Sequence, residues 1–258
     1  MAYDLVDAVL TSGASLPSPG IALIKLQATI RDDNAGVREF ANAVAADPAV
    51  CGALMRVANS AVFRPPRKSE TIEQAISSIG ASRTMAVTAN VCLKGQLELL
   101  KGDLRPIVEK IFAAANQAAE LSFLVARGSS LRRLSDMAYL GAMMQDAGVI
   151  VQAKRGDPVT PESAESDNGH PALGAAVLRN WKMPAVVASA VGTHHNASEA
   201  EKLGGDIHAL ACLMAAGRRL RDGETEEWTH QWATPAQEKY GIDSAYLDTI
   251  LAKLAEKD

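Results

Sequence analysis

The stretch Ala46-Asp47-Pro48-Ala49-Val50-Cys51-Gly52-Ala53-Leu54-Met55-Arg56-Val57-Ala58-Asn59-Ser60-Ala61-Val62 decides the fold class of this chain. Asp47 is a strong N-cap, and Pro48 suits the first helical position, where a missing N–H costs nothing. Val50, Leu54, Val57 and Ala61 then fall on one helical face. Asn59-Ser60 closes the segment with side chains that bond nearby backbone. The pattern predicts a well-capped amphipathic helix that ends in a structured turn.

Helical periodicity extends outward from there in both directions. Residues 19–30 set Ile21, Ile24, Leu26 and Ile30 along a stripe, and residues 36–46 do the same with Val37, Phe40 and Val44. Thr71 and Gln74 have capping-box spacing, with Gly80 placed to end that helix and another running from Ser82 to about Leu100. Further helices are predicted over 106–127, 134–154, 170–181, 184–195, 204–221 and 244–256. No segment alternates apolar and polar residues between hairpin turns, so the expected fold is all-α. Gly102-Asp103-Leu104-Arg105-Pro106 is the candidate boundary. It divides an N-terminal helical lobe, 1–104, from a second helical lobe with a C-terminal extension, 105–258. The polar segment 155–169, with two prolines, reads as a connector or as a loop over a binding site.

Composition narrows the classes of function. A net charge of −4 on 258 residues gives no basic surface on the scale of a general nucleic-acid binder. Cys51, Cys92 and Cys212 are widely spaced in apolar helical segments, which reads as reduced thiols and a cytoplasmic location. Asp4 and Asp7 stand where a signal peptide needs cations, and no apolar run reaches membrane-spanning length, so no membrane association is expected.

The wording of the chain resembles the HDOD family, whose N-terminal lobe carries a D-P-x-L helix ending in A-N-S. Further landmarks follow in the family's order. They are Leu16-Pro17-Ser18-Pro19, Ile72-Glu73-Gln74-Ala75-Ile76 running to Ile79-Gly80, Met144-Gln145-Asp146-Ala147-Gly148, His170-Pro171-Ala172-Leu173-Gly174, Trp181-Lys182-Met183-Pro184 and His194-His195. The resemblance covers about residues 15–220 and implies that the second lobe is related to HD-type metal phosphohydrolases. Those enzymes hold divalent metal with a helix-borne His, a His-Asp pair and a distant Asp, and the metal activates a water toward a phosphate. The counterparts here are Asn116, Gln145-Asp146 and Cys212. Only Asp146 retains its ligand chemistry; neutral amides replace imidazoles poorly on a transition metal. The resemblance therefore implies no bound metal, no cofactor and no catalysis.

His170, after the polar loop, and His194-His195, at a helix end, complete a candidate relic pocket with Asn116, Gln145, Asp146 and Cys212. Adjacent helical residues point about 100° apart, so at most one of His194 and His195 is expected to share a site with His170 and Asp146. A capping role for His170 and a helix-dipole role for His194 or His195 are the plainer readings. His208 reads as a packed or surface residue. Trp228 and Trp232, flanking His230, share a helical face that anchors the C-terminal segment or meets a partner. The loop Arg64-Pro65-Pro66-Arg67-Lys68 is the one concentrated positive site, and reads as solvated surface or as a contact for an acidic partner. Two functions are compatible with these residues. The favoured one is a non-catalytic regulatory module that binds a signalling protein in trans or a small effector. The other is a metal-dependent phosphohydrolase acting on a nucleotide or cyclic dinucleotide.

Overall fold

A computed structural model describes residues 16–63, 66–100, 102–165, 167–223 and 232–255, and among these every regular element is helical. The internal contacts of the chain divide it into two compact units, Ser18–Gly95 on one side and Gln96 onward together with Leu16–Pro17 on the other. This division precedes the one at 104/105 read from the Gly-Asp-Pro stretch.

The smaller unit holds α1 (Ile21–Ile30), α2 (Val37–Val44), α3 (Pro48–Ala58) and α4 (Ile72–Gly95). Asp47 Oδ1 caps α3 by accepting from Ala49 N at 3.0 Å and Val50 N at 3.2 Å. At the other end the Asn59 amide donates to Met55 O and Ser69 O, at 2.9 and 3.1 Å, while its Oδ1 accepts from Ser69 N. One side chain thus closes the helix and fastens the start of the next connection. The capping box at Thr71 forms as predicted, with Gln74 N donating to Thr71 Oγ1 and Gln74 Oε1 accepting from Glu70 N and Thr71 N. Gly80 takes φ of 82°, a value that only glycine adopts freely, and kinks α4 where its two predicted halves meet.

Of the expected core stripe of α1, Leu26 is buried and the three isoleucines are not. Ala22, Leu23 and Leu26 are buried, whereas Ile21 and Ile24 are 72% and 53% exposed. Helix α1 is apolar around most of its circumference, so periodicity does not fix its phase, and small Ala22 packs closely where bulkier Ile21 was expected. In α2 the outcome is mixed: Val44 is buried and Val37 is exposed.

The larger unit begins with a 3₁₀ turn, Gln96–Leu99, followed by α5 (Leu104–Gly128). After a second 3₁₀ turn come α6 (Ser135–Met144), α7 (Ala147–Arg155), α8 (His170–Asn180), α9 (Ala185–Thr193), α10 (Ala197–Leu203), α11 (Gly205–Asp222), α12 (Ala233–Tyr240) and α13 (Ser244–Ala255). Helix α5 packs on α6 and α11, while α8 packs on α7 and α9. Trp181 is fully buried and donates its indole N–H to Pro17 O at 2.7 Å, which ties Pro17 to the larger unit. The predicted helix over 134–154 is in fact two, broken at Gln145–Asp146. Helices α10 and α12 lie outside the predicted set. Asn196, whose Oδ1 accepts from Glu199 N at 3.0 Å, is a sequence-readable start signal for α10.

No helix among the described residues is long and apolar enough to cross a membrane. The three cysteines are free thiols; Cys212 is buried, and Cys51 and Cys92 are half-buried.

Candidate functional site

The break between α6 and α7 positions the site. In a continuous helix Gln145 and Asp146 would point about 100° apart. Here Asp146 leaves helical geometry, with φ −97° and ψ 14°, and both residues line one cavity of about 110 Å³. Lys110, Ile111 and Ala114 of α5, Ala164 and Glu165 of the polar loop, and Arg218 and Arg221 of α11 complete its wall. The 155–169 segment is therefore more than a connector, since its 3₁₀ turn, Pro161–Ala164, brings Ala164 to the cavity.

Behind Asp146 stand three histidines. His170 and His194 are fully buried, and each offers a ring nitrogen, as does His195, all within 4.8 Å of one another. His170 Nε2 lies 3.2 Å from His194 Nε2 and 3.5 Å from Asp146 Oδ1. The sequence expectation that only one of the adjacent pair would approach His170 fails because helix α9 ends at Thr193. Past that end, both rings fold back toward His170, with centroids at 5.1 and 5.2 Å.

Close backbone packing holds this arrangement. Gly148, the second residue of α7, faces the first turn of α8, where an added methyl carbon would stand 2.0 Å from His170 O and 2.6 Å from Gly174 N. Glycine is required at 148 because a backbone occupies the space of any side chain. Asn168 fixes the His170 ring. Its amide N–H donates to Ser163 O at 3.1 Å, which turns its Oδ1 toward His170 Nδ1 at 2.9 Å.

Charge around the cluster is unusual. Arg218 Nη2 donates to His194 O at 3.1 Å, and its Nη1 lies 3.3 Å from His195 Nε2. Burial, the neighbouring imidazole of His195 and the Arg218 guanidinium hold His194 well below the ordinary histidine range, and burial followed by Arg218 lowers His195 to about 3. Both rings are neutral at pH 7. Burial also lowers the Arg218 guanidinium, although Asp146 and Glu165 oppose that effect. Arg221 is paired with Asp222 at 2.7 Å and Glu165 at 3.7 Å.

Several expected members of the pocket lie elsewhere. Cys212 faces His208, with Sγ 3.8 Å from its Nε2, and burial pushes the thiol up to about 12. Asn116 is half-buried on α5 with Oδ1 buried and unpartnered, but the cavity-lining residues of that helix are Lys110, Ile111 and Ala114. Gln145 is fully buried, and neither amide atom has a hydrogen-bond partner among the described residues. Asn116, Gln145 and Cys212 do not make a metal set with Asp146: two are amides, and the thiol is turned to another neighbour. Sequence reading missed Arg218 and Arg221, because a basic pair spaced along a helix C-terminus looks like ordinary dipole compensation.

Among the partner-binding candidates, Arg67 and Lys68 are exposed. Trp232 is 6% exposed, with its ring 6.4 Å from that of His208, so it packs inward. Arg64, Trp228 and His230 lie outside the described residues.

Comparison with known proteins agrees with this architecture. An uncharacterized protein of Treponema pallidum (strain Nichols) is 20% identical over 226 residues. That match takes in 81% of this chain but 43% of the relative, so the chain spans less than half the length of the curated protein it matches. An HDOD domain protein of unknown function from Geobacter sulfurreducens superposes with a TM-score of 0.69 at 16% identity, covering 97% of this chain and 95% of its own. A Shewanella amazonensis SB2B chain with the provisional name of metal-dependent phosphohydrolase gives 0.68 at 18% identity, over 100% of this chain and 99% of its own. Such identities speak for the fold alone. Residues 16–197, from the Leu-Pro-Ser-Pro segment through the paired histidines, match the HDOD domain, and the chain belongs to that family.

Proposed function

We propose that this protein is a non-catalytic signal-transduction module that binds a protein partner in trans, with the cavity at the α6–α7 break available to a small effector. The observation that carries the reading is Gln145. Where an HD-type hydrolase needs an imidazole on its metal, this chain has a fully buried amide with no hydrogen-bond partner among the described residues. Cavity size points the same way. A space of about 110 Å³ is small beside the roughly 300–1,000 Å³ of sites that enclose a drug-sized ligand. The wall carries three cations, Lys110, Arg218 and Arg221, against the carboxylates of Asp146 and Glu165, a balance that suits a small anion.

Phosphohydrolase activity is the competing reading, favoured by the proximity of Asp146 to His170 and compatible with the provisional name of the Shewanella neighbour. A manganese-supplemented assay on phosphodiesters and cyclic dinucleotides separates the two. The expected result is no turnover above a heat-denatured control, and turnover abolished by Asp146→Ala would overturn the proposal. In the same preparation, Arg67→Glu with Lys68→Glu is expected to weaken capture of the partner from native extract without moving the melting temperature, since exposed charges contribute little to stability.

A further inference from the structure

Gln145 and Asp146 make the buried part of the wall of the cavity at the α6–α7 break. Gln145 Oε1, Gln145 Nε2 and Asp146 Oδ1 have no hydrogen-bond partner among the described residues. Together these atoms call for a donor to the Asp146 carboxylate, a donor to the Gln145 carbonyl and an acceptor for the Gln145 amide N–H. Buried groups of this kind are costly until something meets them. The cations stand on the other elements around the cavity. Arg218 is fastened through Nη2 to His194 O and by Nη1 beside His195 Nε2, and its remaining N–H groups can meet an anion in the cavity. Lys110 is the exposed cation of the wall. Arg221 donates to both carboxylate oxygens of Asp222, at 2.7 and 2.9 Å, and lies 3.7 Å from Glu165. With Asp222 counted, Lys110, Arg218 and Arg221 are matched by Asp146, Glu165 and Asp222, so the charges around the cavity balance.

We propose that this cavity binds a small zwitterion, an α-amino acid with a short side chain. The inference rests on the small-effector reading above and names the effector's chemical class; the anionic group favoured there is one end of the ligand. A simple oxyanion sets its oxygens against the Asp146 carboxylate, and an amine alone leaves Arg218 and Lys110 with no charge to meet. An α-amino acid carries an ammonium and a carboxylate on one carbon. Its ammonium suits Asp146 Oδ1 and Gln145 Oε1, which accept, and its carboxylate suits Gln145 Nε2, Arg218 and Lys110, which donate. Because the Gln145 amide offers a donor and an acceptor side by side, it can serve both ends of the same ligand. Ile111, Ala114 and Ala164 give the ligand side chain an apolar wall. Space of about 10–15 Å³ serves for one water, so about 110 Å³ is several waters in size, the scale of a short amino acid. A ligand with no net charge also matches the balanced charges around it.

The test is calorimetric titration of the dialysed full chain. L-Alanine and L-serine are the zwitterions, acetate the carboxylate alone, ethylamine the ammonium alone, L-lactate the carboxylate with a hydroxyl in place of the ammonium, and inorganic phosphate the oxyanion. We expect one L-alanine or L-serine per chain, and every other probe at least about 10-fold weaker, since each forgoes a charge-assisted hydrogen bond. Asp146→Asn, which removes the charge and keeps the shape, is expected to weaken L-alanine about 10-fold and to abolish its advantage over L-lactate. Gln145→Met is expected to weaken L-alanine about 10-fold without lowering the melting temperature, because none of the described residues loses a hydrogen bond. Should the buried variants fail to fold, exposed Lys110 still decides: Lys110→Gln is expected to weaken L-alanine about 2–5-fold and to leave ethylamine unchanged. No binding of either amino acid at millimolar concentration overturns the proposal. So does acetate, L-lactate or phosphate binding as tightly as L-alanine, or binding unchanged in Asp146→Asn and Gln145→Met. Phosphodiester turnover would overturn the small-effector reading and this inference with it, whereas a chain with neither turnover nor amino-acid binding overturns this inference alone.

Discussion

The two units treat their polar groups differently. In Ser18–Gly95 the polar side chains bond to nearby backbone: Asp47 caps α3, Asn59 ties Met55 to Ser69, Gln74 and Thr71 cap each other's backbone, and Thr84 and Thr88 bond one turn back. These groups are structural, and short-range. In the larger unit the polar residues that matter are assembled over long sequence separations: Asp146 with His170, His170 with His194, and Arg218 with His194 and His195. The smaller unit also has buried atoms with no hydrogen-bond partner among the described residues, such as Ser60 Oγ and Asn90 Nδ2, but neither lines the cavity at the α6–α7 break. In the larger unit a carboxylate oxygen and a whole amide are left unpartnered in the lining of a single cavity. Buried polar groups left open together in one cavity call for an explanation, and the function proposed above supplies one.

The comparison can be broken most severely at Gly148. Gly148→Ala sets a methyl carbon against the backbone of His170, where no rotamer relieves the clash, so α7 and α8 must separate. Overpacking ordinarily costs about 1–3 kcal/mol, and a backbone obstacle places this variant at or above the upper end. Urea unfolding is the measurement. An unchanged midpoint would mean that the two helices do not approach as closely as described here.

A smaller effect is expected at Asn59. Asn59→Leu removes an amide that serves Met55 O, Ser69 O and Ser69 N, at a cost of about 1–3 kcal/mol in thermal or urea unfolding. Loss of stability without loss of partner capture would sharpen the contrast between units, because Asn59 would then be structural alone. Loss of capture at unchanged stability would reverse it.

The smallest effect is a pH dependence at His208. This ring is buried, has Nδ1 2.9 Å from Tyr240 Oη, and is held below the ordinary histidine range first by burial and then by Lys239. As the pH falls below about 6.5, the unfolded chain takes up the proton before the folded one, so stability contributed by the neutral ring is present above that pH and lost below it. Between pH 7 and pH 5 the melting temperature of the wild-type chain should therefore fall further than that of His208→Gln. Equal falls would show that His208 does not titrate differently on folding.

What was legible in the sequence follows the same division. The α3 cap, the Thr71–Gln74 box, the Gly80 kink and the all-α class were readable because each depends on residues within a turn or two of one another. The segments that make the site were readable as landmarks, but their geometry was not. Periodicity predicted one helix through 134–154, whereas packing breaks it at Gln145–Asp146 and turns both side chains to one cavity. The helical angle argued against two histidines reaching His170, yet the end of α9 frees both. Arg218 and Arg221 gave no distinctive local signal, and α1 buried a face that its apolar circumference left undetermined.

By itself, then, the sequence determined the all-α class, most of the helices, the caps of the smaller unit and the family, since these rest on local propensity and on ordered short motifs. Tertiary structure alone decided which polar groups meet, because the distances among Asp146, His170, His194 and Arg218 are set by how α7, α8, α9 and α11 pack. No rule of local spacing spans that separation.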